Sequence, residues 1–322
     1  PLSWLEGGRY YGSLRGDLIT ERICMSEKYS SWSSDVGGAW QIQFFRAVIR
    51  IGGVRLAYQM MYVVVLWYLV FVPEVRRRIR PYLCRRFGRG GGMGRFWDGY
   101  RLVCSFGQVL IDQAAVALIG PHILDSRCPD ASAVRGAIEG NGAIVLMSHT
   151  GCWQLAMPAL AGMERPISAV MLPQGPDAPV AKKITEWGDM NVVDPRSGMD
   201  SMVEMMQALG KGHLLTIMGD RVFGPSDNSV KVPFLGEKID LPATPYRLAR
   251  AAGVPVLVLY AVKVGYLRYE VQLGDIIRVE TDSRCPEKAG AKQYVRTLEE
   301  FVRRNPFQFY NFFDLWGAQK SG

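Results

Sequence analysis

The stretch A-I-V-L-M-S-H-T-G-C-W-Q-L, residues 143–155, decides the fold prediction for this chain. It starts with a short apolar run, Ala143–Met147, which follows Gly142 and is followed by polar residues and a helical pattern. An apolar run of this length between turn residues is typical of a buried strand. His149 comes directly after the run, so the sequence places this side chain at the carboxyl end of the predicted strand.

The same alternation of strands and helices continues to the end of the chain. We predict further strands at Pro166–Leu172, Met190–Val193, Leu214–Met218, Val254–Val264 and Arg268–Leu273. We predict helices at Cys152–Gly162, Pro179–Gly188, Ser197–Leu209, Thr244–Ala252 and Glu287–Arg304. This order predicts an α/β fold, with a mostly parallel sheet flanked by helices on both faces. A hairpin turn is expected at Gly265, and the residues between Asp220 and Thr244 are expected to be irregular.

The most apolar part of the chain lies before this region, at Leu56–Val72, where Gln59 is the one strongly polar residue. As a helix the segment is roughly 26 Å long, just short of the ~30 Å hydrocarbon core of a bilayer. Three alternatives remain open: a marginal transmembrane helix, a helix half sunk in one leaflet, or a fully buried core helix. Its composition also permits a strand, but its length argues against one.

A cluster of arginines follows the apolar segment directly. Its members are Arg76, Arg77, Arg78, Arg80, Arg85, Arg86, Arg89, Arg95 and Arg101. Basic residues beside an apolar helix are typical of attachment to anionic lipid headgroups, and they tend to stay cytoplasmic. The alternatives are a solvated basic helix and a nucleic-acid patch. The formal net charge of +8 is compatible with any of these anionic partners.

Length, composition and cysteine spacing exclude several protein classes. A chain of 322 residues with 48% hydrophobic and 21% charged residues is neither disordered nor collagen-like. The six cysteines have no C-x-x-C spacing, which argues against a zinc site and a disulfide framework and favours a reducing compartment. The glycine-rich stretch 88–94 lacks the G-K-S/T of a phosphate loop and predicts a turn between helices. We divide the chain into a polar lead-in or linker (1–40), a helical membrane-associating region (41–120) and an α/β domain (121–322).

Chemistry in such sheets lies at the carboxyl ends of the strands. His149 and the pair Asp220-Arg221 take these positions after two predicted strands. His122 is expected in a loop or a helix cap, and His213 at the amino edge of the sheet, where catalysis is not expected. His149 is therefore the candidate general base.

The residues around His149 resemble a known family. Ser148–Leu155, S-H-T-G-C-W-Q-L, is similar to the SHxGNWE block of the bacterial lipid A biosynthesis acyltransferases, the lauroyl/myristoyl transferase branch of the lysophospholipid acyltransferase superfamily. Further blocks resemble the family in the same order, over a resemblance that runs from Ile42 to Trp316. They are Gly219-Asp220-Arg221, V-P-F-L-G at 232–236, P-A-T-P at 242–245, A-R-A-A-G-V-P at 249–255 and N-P-F-Q-F at 305–309.

The resemblance implies a membrane-associated O-acyltransferase with a glycerolipid acyltransferase-like fold. His149 would take the proton from a hydroxyl of a lipid or glycolipid acceptor, which then attacks the thioester of an acyl donor. The implied donor is acyl carrier protein, with acyl-CoA as the other candidate, and no bound cofactor is expected. Acyl carrier protein is acidic, so the positive charge of the chain would assist docking. The implied location is the cytoplasmic face of the bacterial inner membrane, next to anionic lipid, and no nucleic acid is expected as a partner.

Position 154 departs from the family. The family has a carboxylate five residues after the histidine, and this chain has Gln154 there. A glutamine oxygen accepts a hydrogen bond from the imidazole but brings no negative charge. Three alternatives follow: Gln154 is a working substitute, another acid such as Asp220 supplies the charge, or the enzyme is inactive. We favour the first two together.

The candidate catalytic residues are thus His149 and Gln154, and seven more residues are candidates for binding substrate. Those seven are Gly151, Trp153, Arg196, Asp220, Arg221, Phe234 and Gly236. Backbone amides at Thr150 and Gly151 are expected to stabilise the oxyanion. Arg221 or Arg196 would bind a phosphate, and the alternative for Arg221 is a salt bridge with Asp220 or Asp227. Phe234 and Gly236 would line the acyl or acceptor groove, and the alternative for Phe234 is a position in the core.

Two other functions remain as alternatives. One is a lipid-binding homologue that is catalytically weakened or inactive, which would account for the missing carboxylate at position 154. The other is an acyltransferase for a different acceptor, such as ornithine lipid, a glycerophospholipid, a polyene or another glycolipid. The glycerolipid branch usually has His-x4-Asp and an E-G-T-R-type block, and neither pattern occurs here.

Overall fold

A computed structural model describes residues 39–88, 91–138, 142–152, 154–155, 159–160, 163–172, 190–222, 228–280 and 284–317. The chain divides into two compact units, Pro1–Gly53 and Val54–Gly322. Its described helices include α1 (Ala39–Phe71), α2 (Pro73–Phe87), α3 (Met93–Ile119), α4 (Ala131–Ala137), α5 (Met199–Gly210), α6 (Thr244–Ala252) and α7 (Pro286–Arg304). Single 3₁₀ turns occur at Pro121–Ile123 and Pro195–Ser197. The predicted helix Pro179–Gly188 and nearly all of the predicted lead-in lie outside the described residues.

The described residues contain nine strands, which form two sheets. They are β1 (Asp125–Arg127), β2 (Ala143–Met147), β3 (Ile167–Val170), β4 (Met190–Val193), β5 (Leu214–Met218), β6 (Ser229–Phe234), β7 (Glu237–Pro242), β8 (Val256–Gly265) and β9 (Arg268–Ile277). Seven of them form one sheet in the order β1-β9-β8-β2-β5-β3-β4, and it is parallel except between β8 and β9. The predicted α/β fold with a mostly parallel sheet and flanking helices is therefore confirmed.

Strand β2 lies in the middle of this sheet, between β5 and β8, and all five of its residues are buried. This burial explains why Ala143–Met147 is apolar without alternation, since both faces of the strand are covered. Much of the core consists of β2 and β8 side chains packed against helix α4 and neighbouring strands. The sheet thus holds the carboxyl end of β2 in a fixed position.

The region predicted as irregular contains an antiparallel hairpin instead, formed by β6 and β7. Val232 and Phe234 of β6 are buried and alternate with the exposed Lys231 and Pro233, which is the pattern of a strand with one covered face. Pro233 weakens this pattern at the level of sequence, because proline cannot donate to a ladder and is confined to edges. A two-stranded sheet consists of edges, so the proline is accommodated. Strand β1, three residues long, was also not predicted.

In the part of the chain that the structure describes, two helices are long and apolar enough, by length and composition alone, to cross a membrane: Gln43–Phe71 and Met93–Ile119. The first contains the predicted apolar helix, and the second was not predicted to be apolar. In the predicted segment, Ala57, Met61, Val65 and Leu69 are buried at helical spacing, whereas a second set of apolar residues is exposed. The exposed set is Leu56, Val63, Leu66, Trp67, Val70 and Phe71. This two-sided pattern does not fit the alternative of a fully buried core helix.

Several members of the arginine cluster contact protein. Arg86 donates to the backbone oxygens of Val302 (2.8 Å) and Arg303 (2.7 Å), near the carboxyl end of α7. Cations are favourable at that end of a helix, where carbonyl groups lack intrahelical partners. Arg85 forms an ion pair with Glu237 (2.7 Å) and lies over the ring of Trp316 (4.3 Å). Part of the cluster therefore attaches α2 to the α/β domain. Arg89, another member of the cluster, lies outside the described residues.

A buried ion pair fixes α3 to the sheet. Asp112 of α3 is fully buried and pairs with Lys263 of β8, whose side chain is 7% exposed. Asp112 also accepts hydrogen bonds from the hydroxyls of Tyr58 and Tyr269, the latter at 2.6 Å. Burying two charges is costly unless each keeps its partners. The contact therefore specifies which face of α3 lies on the sheet.

We expect Lys263→Met to lower the free energy of unfolding by about 3–5 kcal/mol, because it leaves the Asp112 carboxylate buried without its cation. The double variant Lys263→Met/Asp112→Asn removes both charges and keeps a partner for the tyrosine hydroxyls, so it should lose less. Denaturant unfolding of the detergent-solubilised protein measures both values. A single variant within about 1 kcal/mol of the wild type would contradict this role.

Candidate active site

The register between β2 and β5 brings two polar residues together. Met147 of β2 pairs with Met218 of β5, at the carboxyl end of each strand. His149 and Asp220 each lie two residues beyond this pair. Parallel neighbours end at the same edge of a sheet, so equal offsets place the two side chains side by side. Two apolar strands in register therefore create the pair.

Asp220 binds His149 in two ways. Its Oδ1 lies 2.8 Å from the imidazole Nδ1, and its Oδ2 accepts from the His149 backbone N–H at 2.9 Å. The Asp220 side chain is 1% exposed. Although burial by itself raises the pKa of this carboxyl, the charge and hydrogen bonds of His149, with the charge of Arg221, hold the pKa below its usual value. Asp220 is thus an ionised carboxylate at neutral pH.

This contact sets the tautomer of His149. A carboxylate only accepts hydrogen bonds, so Nδ1 carries the proton and Nε2 of the neutral ring keeps its lone pair. The His149 side chain remains 30% exposed, which leaves the ring accessible to a substrate. The arrangement has the chemistry of a general base oriented by a buried acid.

Cys152, three residues after His149, does not have the chemistry of a nucleophile. Burial raises the pKa of its thiol to about 11, although a hydrogen bond from Gln113 opposes the shift. The reactive form of cysteine is the thiolate, and this thiol stays protonated near neutral pH. Among the described residues, no group of three or more histidine, cysteine or acidic side chains could hold a metal ion.

The carboxyl-terminal segment, residues 305–310, contacts the loop that contains His149, residues 148–152. Thr150 forms a bridge with Phe309, and the Tyr310 N–H donates to the His149 oxygen at 2.7 Å. The side-chain amide of Gln308 accepts from the backbone N–H of Lys263 (2.8 Å) and donates to its oxygen (2.9 Å). Gln308 thereby forms hydrogen bonds with both backbone groups of Lys263 in β8, as a neighbouring strand would. The N-P-F-Q-F motif marked this segment in the sequence, but nothing in the sequence indicated what it contacts.

Gly151 is required by the approach of two backbones. Its φ is +49°, and a Cβ atom would lie 1.9 Å from the carbonyl oxygen of Ala261 in β8. The Gly151 N–H donates to the oxygen of Gln308 (3.0 Å), and the Thr150 N–H donates to the oxygen of Ser148 (2.7 Å). Both amides already have protein acceptors, which does not fit their expected role as oxyanion donors.

Gln154 is near the base but bonds elsewhere. Its Oε1 accepts from the Cys152 thiol (3.3 Å) and from Gln113 of α3 (3.4 Å). Both are hydrogen bonds of the Gln154 side chain, and neither partner is His149. Of the two favoured alternatives, the geometry supports the one in which Asp220 supplies the charge. The equal offsets of the two residues from neighbouring strands were the signal for this pair in the sequence.

Not all of the other residues predicted to bind substrate lie near His149. Arg221 lies next to Asp220, with its guanidinium 4.8 Å from the centre of the Phe313 ring. Arg196 follows β4, three strands from β2 and therefore about 14 Å away, and forms an exposed ion pair with Asp194 at 2.7 Å. Trp153 lies outside the described residues.

Phe234 and Gly236 lie at the turn of the β6–β7 hairpin. Phe234 is fully buried and stacks on Trp316, with ring centres 5.7 Å apart. Gly236, with a φ of +90°, follows Leu235 in the turn of the β6–β7 hairpin, and left-handed backbone is what such tight turns require. The burial of Phe234 fits the alternative of a core position.

A family comparison agrees with this geometry. A model described as bacterial lipid A biosynthesis acyltransferase matches residues 101–317, about two thirds of the chain. The chain belongs to this family. It is therefore an O-acyltransferase of the lipid A biosynthesis type. The match includes β2, β5 and the carboxyl-terminal segment but not α1, which the resemblance had included. A search of the curated proteins found no match.

We expect Gly151→Ala in this acyltransferase to lower the free energy of unfolding by about 1–3 kcal/mol or more, because the new methyl group overlaps the Ala261 oxygen. Gly136→Ala is the matched control, since Gly136 lies in helix α4 with open space at its Cβ position. That variant should be neutral or more stable. Equal stability changes in the two variants, measured by denaturant unfolding, would contradict the account of Gly151.

The His149–Asp220 pair also predicts a pH dependence of stability. The pKa of Asp220 is lower in the folded than in the unfolded state, where it is about 3.9. The pair therefore stabilises the fold fully above about pH 4, and this contribution is lost as the pH falls through the folded value. Asp220→Asn should lack this acid-dependent loss. Unfolding curves over the acid range test this, and parallel pH profiles for both proteins would refute it.

Proposed function

We propose that this acyltransferase moves a fatty acyl chain from a thioester donor to a hydroxyl of a lipid or glycolipid acceptor, with His149 as general base. The observation that carries the proposal is the buried Asp220 carboxylate on Nδ1 of His149. In the reaction, Nε2 takes the hydroxyl proton while the oxygen attacks the thioester carbonyl. The carbon–sulfur bond breaks, the ester forms, and the leaving thiolate takes the proton back from the imidazolium.

Asp220 stabilises the charge that develops on His149 during this step. When Nε2 takes the proton the ring becomes a cation, and a buried anion at 2.8 Å favours that form. A positioned base of this kind contributes about 10²–10⁴-fold to the rate. Gln154 supplies no charge, and its bonds to Gln113 and Cys152 support a role in holding the turn after the base.

The net charge and the exposed apolar residues support our choice of acyl donor, acyl acceptor and cellular location. The net charge of +8 favours acyl carrier protein, which is acidic, as the donor, with acyl-CoA as the alternative thioester. The exposed apolar residues of α1 and the nearby arginines favour attachment to an anionic membrane, where a lipid acceptor is available. We place the enzyme at the cytoplasmic face of the bacterial inner membrane. We propose no bound cofactor and no nucleic-acid partner.

The contact between Asp220 and His149 also bears on the alternative functions. An inactive lipid-binding homologue was suggested by the missing carboxylate at position 154. Asp220 supplies a carboxylate to the imidazole from the neighbouring strand, which favours an active enzyme over that alternative. Other acceptors, such as ornithine lipid, a glycerophospholipid or a polyene, use the same hydroxyl chemistry, and a test with defined acceptors distinguishes them.

We expect His149→Ala and Asp220→Asn each to lower kcat/KM by at least about 10²-fold. The first variant removes the base, and the second removes the negative charge beside it. Gln154→Ala should cost no more than about tenfold, the equivalent of one neutral hydrogen bond. The assay uses purified protein, acyl carrier protein thioester and a lipid A precursor with a free hydroxyl. Release of the carrier thiol and the mass of the product are both measured.

His122→Ala is the control of the same residue type, since His122 lies in an exposed 3₁₀ turn, and it should leave the rate unchanged. Full activity of the His149 variant would refute the proposed base. A Gln154 variant as inactive as the His149 variant, beside an active Asp220 variant, would show instead that Gln154 orients the imidazole.

A further inference from the structure

A tyrosine of helix α7 contacts the ends of both strands that carry the catalytic pair. Tyr294 is fully buried, and its hydroxyl lies 2.7 Å from the hydroxyl of Ser148. Its ring packs against Gly219. Ser148 directly precedes His149, and Gly219 directly precedes Asp220. One side chain thus contacts the residue before the base and the residue before its acid.

The contact at position 219 depends on glycine. A Cβ atom there would lie 3.1 Å from Cζ of Tyr294 and 2.7 Å from Cδ1 of Leu146. These distances leave no room for a side chain, so glycine allows the ring to approach the backbone closely. The Gly219 N–H donates to the oxygen of Met147 at 2.7 Å, which continues the pairing of β5 with β2. The ring therefore packs where the backbone pairing of the two strands ends.

The hydrogen bond to Ser148 fixes the start of the turn that contains the base. Ser148 is 1% exposed, and its hydroxyl bonds with that of Tyr294. A buried hydroxyl that loses its partner is unfavourable, so this bond determines the orientation of the serine side chain. The backbone oxygen of Ser148 accepts from the Thr150 N–H at 2.7 Å, and His149 lies between these two residues. A shift of Ser148 would therefore move the base.

Tyr294 does not have the chemistry of an acid or a base in the reaction. Its side chain is fully buried and therefore cannot touch a substrate. Burial raises the pKa of Tyr294 well above its usual value, and the negative charge of Asp220 acts in the same direction. The phenol therefore stays neutral at physiological pH. Any effect of this side chain on catalysis acts through the residues that it contacts.

We propose that Tyr294 is a positioning residue, which holds the ends of β2 and β5 at the separation that the contact between His149 and Asp220 requires. This inference rests on the proposed roles of those two residues. Their contact joins Nδ1 to Oδ1 at 2.8 Å, and hydrogen bonds weaken steeply when their geometry changes. A single side chain that packs on both strand ends keeps this distance constant.

The test compares Tyr294→Phe with Tyr260→Phe in the full chain. Each variant loses one buried hydroxyl bond to or from α7, since the Tyr260 hydroxyl lies 2.8 Å from that of Thr297. Only the first bond includes a neighbour of the catalytic pair. We expect Tyr294→Phe to lower kcat about three- to tenfold with KM unchanged, and Tyr260→Phe to change kcat by less than about twofold. Each rate is divided by the folded fraction, which circular dichroism measures at the assay temperature.

The same substitution in the Asp220→Asn background separates positioning from general packing. The charged contact is already lost there, so Tyr294→Phe should lower the residual kcat by less than about twofold. Equal losses in both backgrounds, or full activity of Tyr294→Phe alone, would overturn the positioning role. An inactive Asp220→Asn beside a fully active Tyr294→Phe leaves the proposed function standing. Full activity of Asp220→Asn would instead refute the proposed acid, and the role of Tyr294 with it.

Discussion

The carboxylate of Asp220 lies on Nδ1 of His149, and the rest of the site depends on this contact. Strands β2 and β5 pair in register up to Met147 and Met218, so each polar residue lies two positions past the same pair. The acid is buried, which strengthens its interaction with the ring, and it also holds the backbone N–H of His149. A single carboxylate thus fixes the position, the tautomer and the charge environment of the base.

Three other parts of the chain keep this contact in place. The carboxyl-terminal segment bonds to the backbone of His149 and Gly151, and Gln308 extends the hydrogen bonding of β8. Helix α3 reaches the turn after the base through Gln113, and the Asp112–Lys263 ion pair fixes that helix on the sheet. Helix α2 binds the carboxyl end of α7 through Arg86. Apolar packing positions the sheet. Polar contacts between residues that are far apart in the sequence position the base.

Much of the fold can be predicted from the sequence, because strands such as Ala143–Met147 and Leu214–Met218 lie inside the sheet with few exposed side chains and are therefore almost entirely apolar. Helix α6 is predicted to the residue, since Pro245 and Gly253 mark its ends. The β6–β7 hairpin is missed because Pro233 is unfavourable in all but edge strands. The contacts of Gln154 and Gly151 depend on backbone approaches from α3 and β8, and local sequence does not encode which distant segment will be the neighbour.

The same reasoning explains what the arginine cluster does. Proximity in sequence suggested one lipid-facing patch, whereas Arg85 and Arg86 are used within the protein and Arg80 lines a cavity. The charge of an arginine is visible in the sequence, but its partner is set by the tertiary structure. Candidate functional residues therefore have to be sorted by what they contact, as Phe234 and Gly236 also show.

The central claim is that His149, held by Asp220, transfers an acyl chain to a lipid hydroxyl. The most direct test is mass spectrometry of total lipids from bacterial cells that express the intact chain or its His149→Ala variant at equal levels. The account predicts that a defined hydroxylated lipid gains the mass of one acyl chain with the intact protein and gains none with the variant. The same mass gain in both strains would contradict it.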